Sequence, residues 1–191
     1  MHKSPPRPPL LILAVLLAFS TQADATTVLK LDLEQMVARA GKIFRGTIAE
    51  INTGTIEAGG GTLPTVTYVI NVEEPLKGEF NLKEGRAVIE VTMVGTLKDE
   101  VVRVGNSQRF SVLPKAPQLV MGQDYLLFTT PESSKGLSTA VGLGQGAFTI
   151  FIHNRQELAV NALDNANLGL PSSGPVPYSE LAARIRTMLG K

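Results

Sequence analysis

TVTYVINV (65–72) and RAVIEVTMV (86–94) carry the clearest structural signal in this chain. In the first, Val66, Tyr68, Ile70 and Val72 alternate with Thr65, Thr67 and Asn71. In the second, Ala87, Ile89, Val91 and Met93 occupy every other position. A period of two is the mark of a strand with one dry and one wet face, because successive side chains leave a strand on opposite sides. Both segments therefore read as half-buried antiparallel strands. Between them, Pro75 and Leu76-Lys77-Gly78 supply a strand end and a turn.

Working outward, KIFRGTIAEI (42–51) is a further strand, with Gly46 at its middle as the place for a bulge or bend. NTGTIEAGGGTLP (52–64) reads as a turn-rich connection. DYLLFT (124–129) and GAFTIFI (146–152) are the most apolar strands and are expected at the centre of the sheet; a last strand covers 157–162. Residues 95–123, broken by Pro114, Pro117 and Gly122, read as a long loop with one short strand. Asp32-Leu33-Glu34-Gln35 has the form of a capping box, followed by Leu33, Met36, Val37 and Ala40 at helical spacing and Gly41 at the end. A second helix is expected over 178–189, with Leu181, Ile185, Met188 and Leu189 on one stripe. Five or six antiparallel strands bent at a glycine predict a mainly β domain. The expected form is a small closed or partly open barrel, like the oligomer-binding fold, with flanking N- and C-terminal helices. A sandwich is the competing arrangement. The expected division is 26–163 as the β domain, 164–177 as a linker and 178–191 as a C-terminal helix packing on the domain.

Residues 1–25 read as a cleavable signal peptide. Lys3 and Arg7 precede the apolar run LLILAVLLAF (10–19), and Ala23-Asp24-Ala25 supplies the small-x-small site, with Ala23 and Ala25 as the two small residues. The run is about half of the ~20 residues that a membrane span needs. With no cysteine, acylation as a lipoprotein is excluded. The mature chain is expected to begin at Thr26 and to be secreted or periplasmic, with no membrane span. Removing Lys3, Arg7 and Asp24 from 18 basic and 17 acidic residues leaves 16 of each. Such a balance lacks the basic excess of a nucleic-acid binder. About 166 residues support one core, and without cysteine that core is stabilised by packing alone. The absence of Trp and the presence of only three Tyr weigh against a sugar-stacking platform.

The sequence offers little for catalysis. His153 is the one histidine after residue 25 and is expected at a strand end in solvent. Ser107 sits in a turn sequence with no base partner. Glu73 and Glu74 are neighbours on a strand and are expected to diverge. Asp99-Glu100 belongs to a charged turn, and Glu90 lies on the wet face of its strand. Gly142-Leu143-Gly144-Gln145-Gly146 precedes a strand rather than a helix, so it reads as a hairpin or bulge and not as a phosphate loop. Arg103, Arg109 and Lys115 lend the long loop a mild positive character. No catalytic, cofactor-binding or metal-ligating set emerges.

Three pieces carry a resemblance: the helix leading directly into 42–51, the strand close VEEPLKG (72–78), and LPKAP…GQDYLLF (113–128) followed by GLGQGAF (142–148). Together they resemble exported bacterial proteins whose domain is similar to the barrel of netrin modules and tissue inhibitors of metalloproteases. Those inhibitors are built on disulfides and an N-terminal cysteine, and this chain has neither. The resemblance implies that the mature N-terminus chelates a protease zinc through the α-amino nitrogen and first carbonyl of Thr26, with Thr27 entering the adjacent specificity pocket. The expected function is an exported, non-enzymatic module binding another exported protein. The alternatives are inhibition of a secreted zinc metalloprotease through Thr26 and Thr27, or a hydrolase based on carboxylates.

Overall fold

The computed structural model describes residues 29–58, 60–83, 86–97, 101–104, 108–111 and 118–191. The expected signal segment with Ala23 and Ala25, the expected mature N-terminal residues Thr26 and Thr27, and Asp99, Glu100, Ser107 and Lys115 lie outside them. The fold is mainly β, a largely antiparallel sheet with a helix before it and a helix after it.

Helix α1 (Leu33–Arg39) starts on the predicted capping box. The Gln35 amide donates to Asp32 Oδ1 at 2.7 Å, and the Asp32 amide donates back to Gln35 Oε1 at 3.2 Å. Its Leu33, Met36 and Val37 are buried, which is what stabilises a two-turn helix that could not stand alone. Strands β1 (Lys42–Ala58) and β2 (Gly61–Lys77) then form a long hairpin. The stretch 52–64, expected as a turn-rich connection, is instead a ribbon whose arms pair from Asn52↔Thr67 to Ala58↔Gly61. Its Thr and Ile residues are β-branched and favour extended backbone, and only the tip turns.

Strands β3 (Leu82–Lys83), β4 (Arg86–Val94), β5 (Val101–Val104), β6 (Gln108–Ser111), β7 (Asp124–Thr129), β8 (Ala147–His153), β9 (Gln156–Asn161) and β10 (Val176–Pro177) follow, and helix α2 (Tyr178–Met188) closes the chain. The main sheet has the order β10-β9-β8-β7-β1-β2-β4-β3, with every strand pair antiparallel. The apolar strands β7 and β8 are central, as their composition predicts. The region 95–123 holds two short strands, paired as a separate hairpin, where one was expected. Named strands leave β10 and β3 as the two ends of the sheet. Segment 137–141 adds an isolated bridge at each side, Thr92↔Leu137 and Thr129↔Ala140.

Alternation divides the core in two. Ile43, Leu126, Phe128, Phe148, Ile150 and Ala159 face α1 and α2, packing with Met36, Leu181 and Ile185. Phe44, Ile48, Tyr68, Ile70, Val91, Tyr125 and Leu127 form the second cluster on the opposite side. In α2 the buried stripe is Tyr178, Leu181, Ala182 and Ile185, whereas Met188 is exposed. Residues 164–177, expected as a linker, send Asn165, Leu168 and Val176 inward. The Asn165 side chain accepts from the Asn161 amide and donates to the carbonyls of Ala159 and Gly174, fastening this segment to β9.

Gly46 sits at a register shift of β1, where the sequence predicted a bend. A Cβ there would lie 2.4 Å from the Asn71 carbonyl oxygen and 2.9 Å from Ile70 Cγ2. Gly46→Ala is therefore expected to cost about 1–3 kcal/mol through a forced backbone shift. Chemical denaturation checks this, and an unchanged midpoint would contradict it.

Candidate binding face

The helix side of the sheet carries a polar network centred on Arg45 of β1, whose side chain is largely buried. Arg45 Nε donates to Asp124 Oδ2 at 2.8 Å, and its two terminal nitrogens donate to the two oxygens of Glu157 at 2.9 and 2.7 Å. Glu73 lies 3.7 Å away and accepts from Thr47 Oγ1. The guanidinium also stacks 4.6 Å over the Tyr178 ring. Tyr178 donates its hydroxyl to Glu74 at 2.6 Å, and Arg186 pairs with the same carboxylate. One cation thus ties β1 to β2, β7, β9 and α2. Glu73 and Glu74, expected to diverge, both reach this network, because the register shift that pairs Arg45 with Glu74 and Gly46 with Val72 leaves Glu73 as an extra residue and breaks the alternation.

Burial shifts Asp124 and Tyr178, and the hydrogen bonds between Arg45 and Glu157 shift those two. Burial pushes the Asp124 carboxyl above the ordinary carboxylate range even though Arg45 pulls it down. Asp124 Oδ1 is buried with no hydrogen-bond partner, which explains why burial wins. Arg45 pulls the more exposed Glu157 below that range. Hydrogen bonding to Glu157 raises Arg45, with burial opposing. Burial first, then the bond to Glu74, raises the Tyr178 hydroxyl. Asp124 and Glu157 converge, but the Arg45 side chain occupies the point of convergence. The geometry does the work of a fastener.

The other side of β8 and β9 has a different chemistry. Phe148, Ile150 and Ala159 point to the helices, so alternation turns Thr149, Phe151, Leu158 and Val160 the opposite way. The register sets Thr149 across from Val160 and Phe151 across from Leu158. These four side chains are half-buried or exposed, with no helix over them among the described residues. Beside them a cleft of about 270 Å³ runs between Leu119, Tyr125, Ala147, Thr149 and Val160. Two tyrosines hold its outer wall: the Leu119 amide donates to Tyr68 Oη at 3.4 Å, and the Val120 amide to Tyr125 Oη at 3.1 Å. Burial raises the Tyr68 hydroxyl. The neighbouring turn exposes Val120 at 60% and Met121 at 66%, whereas the exposed Ile152 lies across from Glu157 on the helix side. Gln123 fixes that turn to β8 by donating from Nε2 to the Ile150 carbonyl at 2.7 Å.

Of the residues singled out in the sequence, His153 ends β8 in solvent, and Glu90 is exposed on β4. Gly142–Gly146 forms a 3₁₀ turn (Leu143–Gly146) rather than a hairpin. Its Gln145 is buried, accepts from the Leu31 amide at 2.9 Å and donates to the Leu29 carbonyl at 2.8 Å. Neither Gln145 nor Arg45 stood out in the sequence. A lone amide among glycines before an apolar strand was the signal for the first, and a cation in the interior of the strand 42–51 for the second. Among the described residues no group of three or more His, Cys, Asp or Glu is placed to hold a metal, and no helix is long and apolar enough to cross a membrane. No protein-family model, curated protein or solved structure matches this chain.

Proposed function

We propose that the chain is exported by cleavage behind Ala25 and acts as a non-enzymatic module that binds another exported protein. The observation that carries this reading is the apolar surface of Phe151, Leu158 and Val160, which no helix covers among the described residues, continued at the neighbouring turn by Val120 and Met121. Single exposed apolar residues are ordinary, whereas a group of them around one cleft is the usual mark of a protein-binding surface. The module is a partly open barrel of the oligomer-binding kind. Support comes from segment 137–141, where the Ser138 amide donates to the Thr92 carbonyl of β4 and the Val141 amide to the Phe128 carbonyl of β7. The run β7-β1-β2-β4 is thereby drawn around the Phe44 and Tyr68 cluster. The test is capture from the chain's own exported fraction on immobilised protein. Phe151→Asp combined with Met121→Asp is expected to cut capture at least about tenfold, the scale of an interface hot spot, with the unfolding midpoint unchanged. Equal capture by both proteins would overturn the reading.

A second reading, inhibition of a secreted zinc metalloprotease through Thr26 and Thr27, is favoured by one observation. The clasp of Gln145 on Leu29 and Leu31 anchors the chain three residues after Thr26. It is tested with exported protein whose intact mass begins at Thr26, assayed beside a form with one extra N-terminal residue. Inhibition by the first alone is the expected result; equal behaviour of the two refutes it.

A further inference from the structure

Strand β1 has two edges with different fates. One pairs with β2 along its whole length. The other pairs with β7 only from Lys42↔Thr129 to Thr47↔Asp124. Beyond that, the Ile48 amide donates to the Gln123 carbonyl, and the Gly122 amide donates to the Ile48 carbonyl. A register irregularity between Ile48 and Glu50 follows, and the neighbour is lost. From 50 to 58 this edge has no adjacent strand among the described residues, and Asn52, Thr53, Gly54 and Thr55 are exposed. Nine residues of strand span about 30 Å.

Natural edges of this length are blunted by Pro, Lys or a covering loop. Residues 50–58 contain neither Pro nor Lys, while Ile51, Thr53, Thr55 and Ile56 favour extended backbone. The only charges in the ribbon 50–67 are Glu50 and Glu57. The open edge begins at the turn that carries the exposed Val120 and Met121, so it adjoins the apolar surface described above.

We infer that this edge takes an extended segment of the partner protein as an added antiparallel strand, and that the segment carries two Lys or Arg residues about seven positions apart, opposite Glu50 and Glu57. The inference rests on the protein-binding reading and specifies its mode. Main-chain hydrogen bonds supply affinity, and the two carboxylates set register and preference. A second copy of this chain is a poorer occupant, because antiparallel pairing of two 50–57 edges sets Glu50 opposite the other copy's Glu57.

The probe is a fluorescein-labelled nine-residue peptide of alternating Thr and Val with Lys at positions 1 and 8. One control carries Glu at those positions, and another carries Pro at its four central positions. Anisotropy titration of the purified exported chain is expected to give saturable binding with a Kd below about 100 µM. Hydrogen exchange is expected to show new protection confined to 51–57. Glu50→Lys combined with Glu57→Lys should reverse the preference, weakening the Lys peptide and strengthening the Glu peptide by about five- to tenfold each. Undiminished binding of the Pro peptide, or unchanged exchange over 51–57, overturns the inference. Protection of these amides in the protein alone, rising with concentration alongside a doubled sedimentation mass, assigns the edge to a second copy and equally overturns it. A silent edge, with capture still lost in the Phe151→Asp and Met121→Asp protein, removes this mode and leaves the protein-binding reading standing.

Discussion

Replacing Phe148 by alanine is expected to lower the free energy of unfolding by about 3–5 kcal/mol. Phe148 is fully buried and meets Phe128 with ring centroids 5.6 Å apart. It belongs to the cluster that joins β7, β8 and β9 to both helices. Without disulfides, nothing but packing compensates for the cavity. Denaturant titration followed by circular dichroism measures the loss. A change below about 1 kcal/mol would place the ring outside the core.

The second large effect belongs to Arg45. Its removal, as in Arg45→Met, leaves Asp124 largely buried beside Glu73 and Glu157 with no cation. Breaking a fully enclosed ion pair costs about 3–5 kcal/mol. Here Asp124 keeps some exposure, so about 2–4 kcal/mol at neutral pH is expected. The pH dependence gives this prediction its signature. The Asp124 carboxyl already titrates above its ordinary value, and loss of Arg45 removes the two influences that lower it. A group whose folded pKa exceeds the unfolded one favours folding below the unfolded pKa, and that contribution is lost as pH rises through the folded pKa. The variant should therefore gain stability between pH 7 and pH 5. Glu157 has the opposite sign in the parent protein. Its carboxyl is depressed, so its contribution is present above the ordinary carboxylate range and fades as acid is added. A variant whose unfolding midpoint falls between pH 7 and pH 5 would show that Asp124 is not the group left unpaired.

The elements with strong periodicity were legible from the residues. Val66, Tyr68 and Ile70, and Val91 with Met93, are buried on the face their alternation predicts, and the capping box of α1 is present with both of its bonds. Legibility failed where local chemistry was ambiguous and distant contacts decided. The 52–64 segment is rich in Gly, Asn and Thr, which serve turns and ribbons alike, and cross-strand pairing selects the ribbon. The 164–177 segment has the composition of a linker. Asn165 gives it structure by satisfying groups on β9 and Gly174. Met188 shares the helical stripe with Leu181 and Ile185, yet it is exposed while they are buried.

The candidate binding face was harder still to foresee, because an apolar strand gives no hint that Phe151 and Leu158 lie on a face with no helix over it among the described residues. The Arg45 network joins residues from five elements, far apart in sequence, so no local motif announces it. The anchoring of Leu29 and Leu31 by Gln145 spans more than a hundred residues in the same way.

We propose above that the face of β8 and β9 with no helix over it among the described residues meets another exported protein. Site-specific photocrosslinking in producing cells tests it most directly, with a benzophenone amino acid placed at Phe151, at Leu158 and, on the exposed side of α2, at Ala183. Discrete adducts of higher mass are expected from positions 151 and 158 and none from 183. No adduct from 151 and 158, or equal labelling from all three positions, would contradict it.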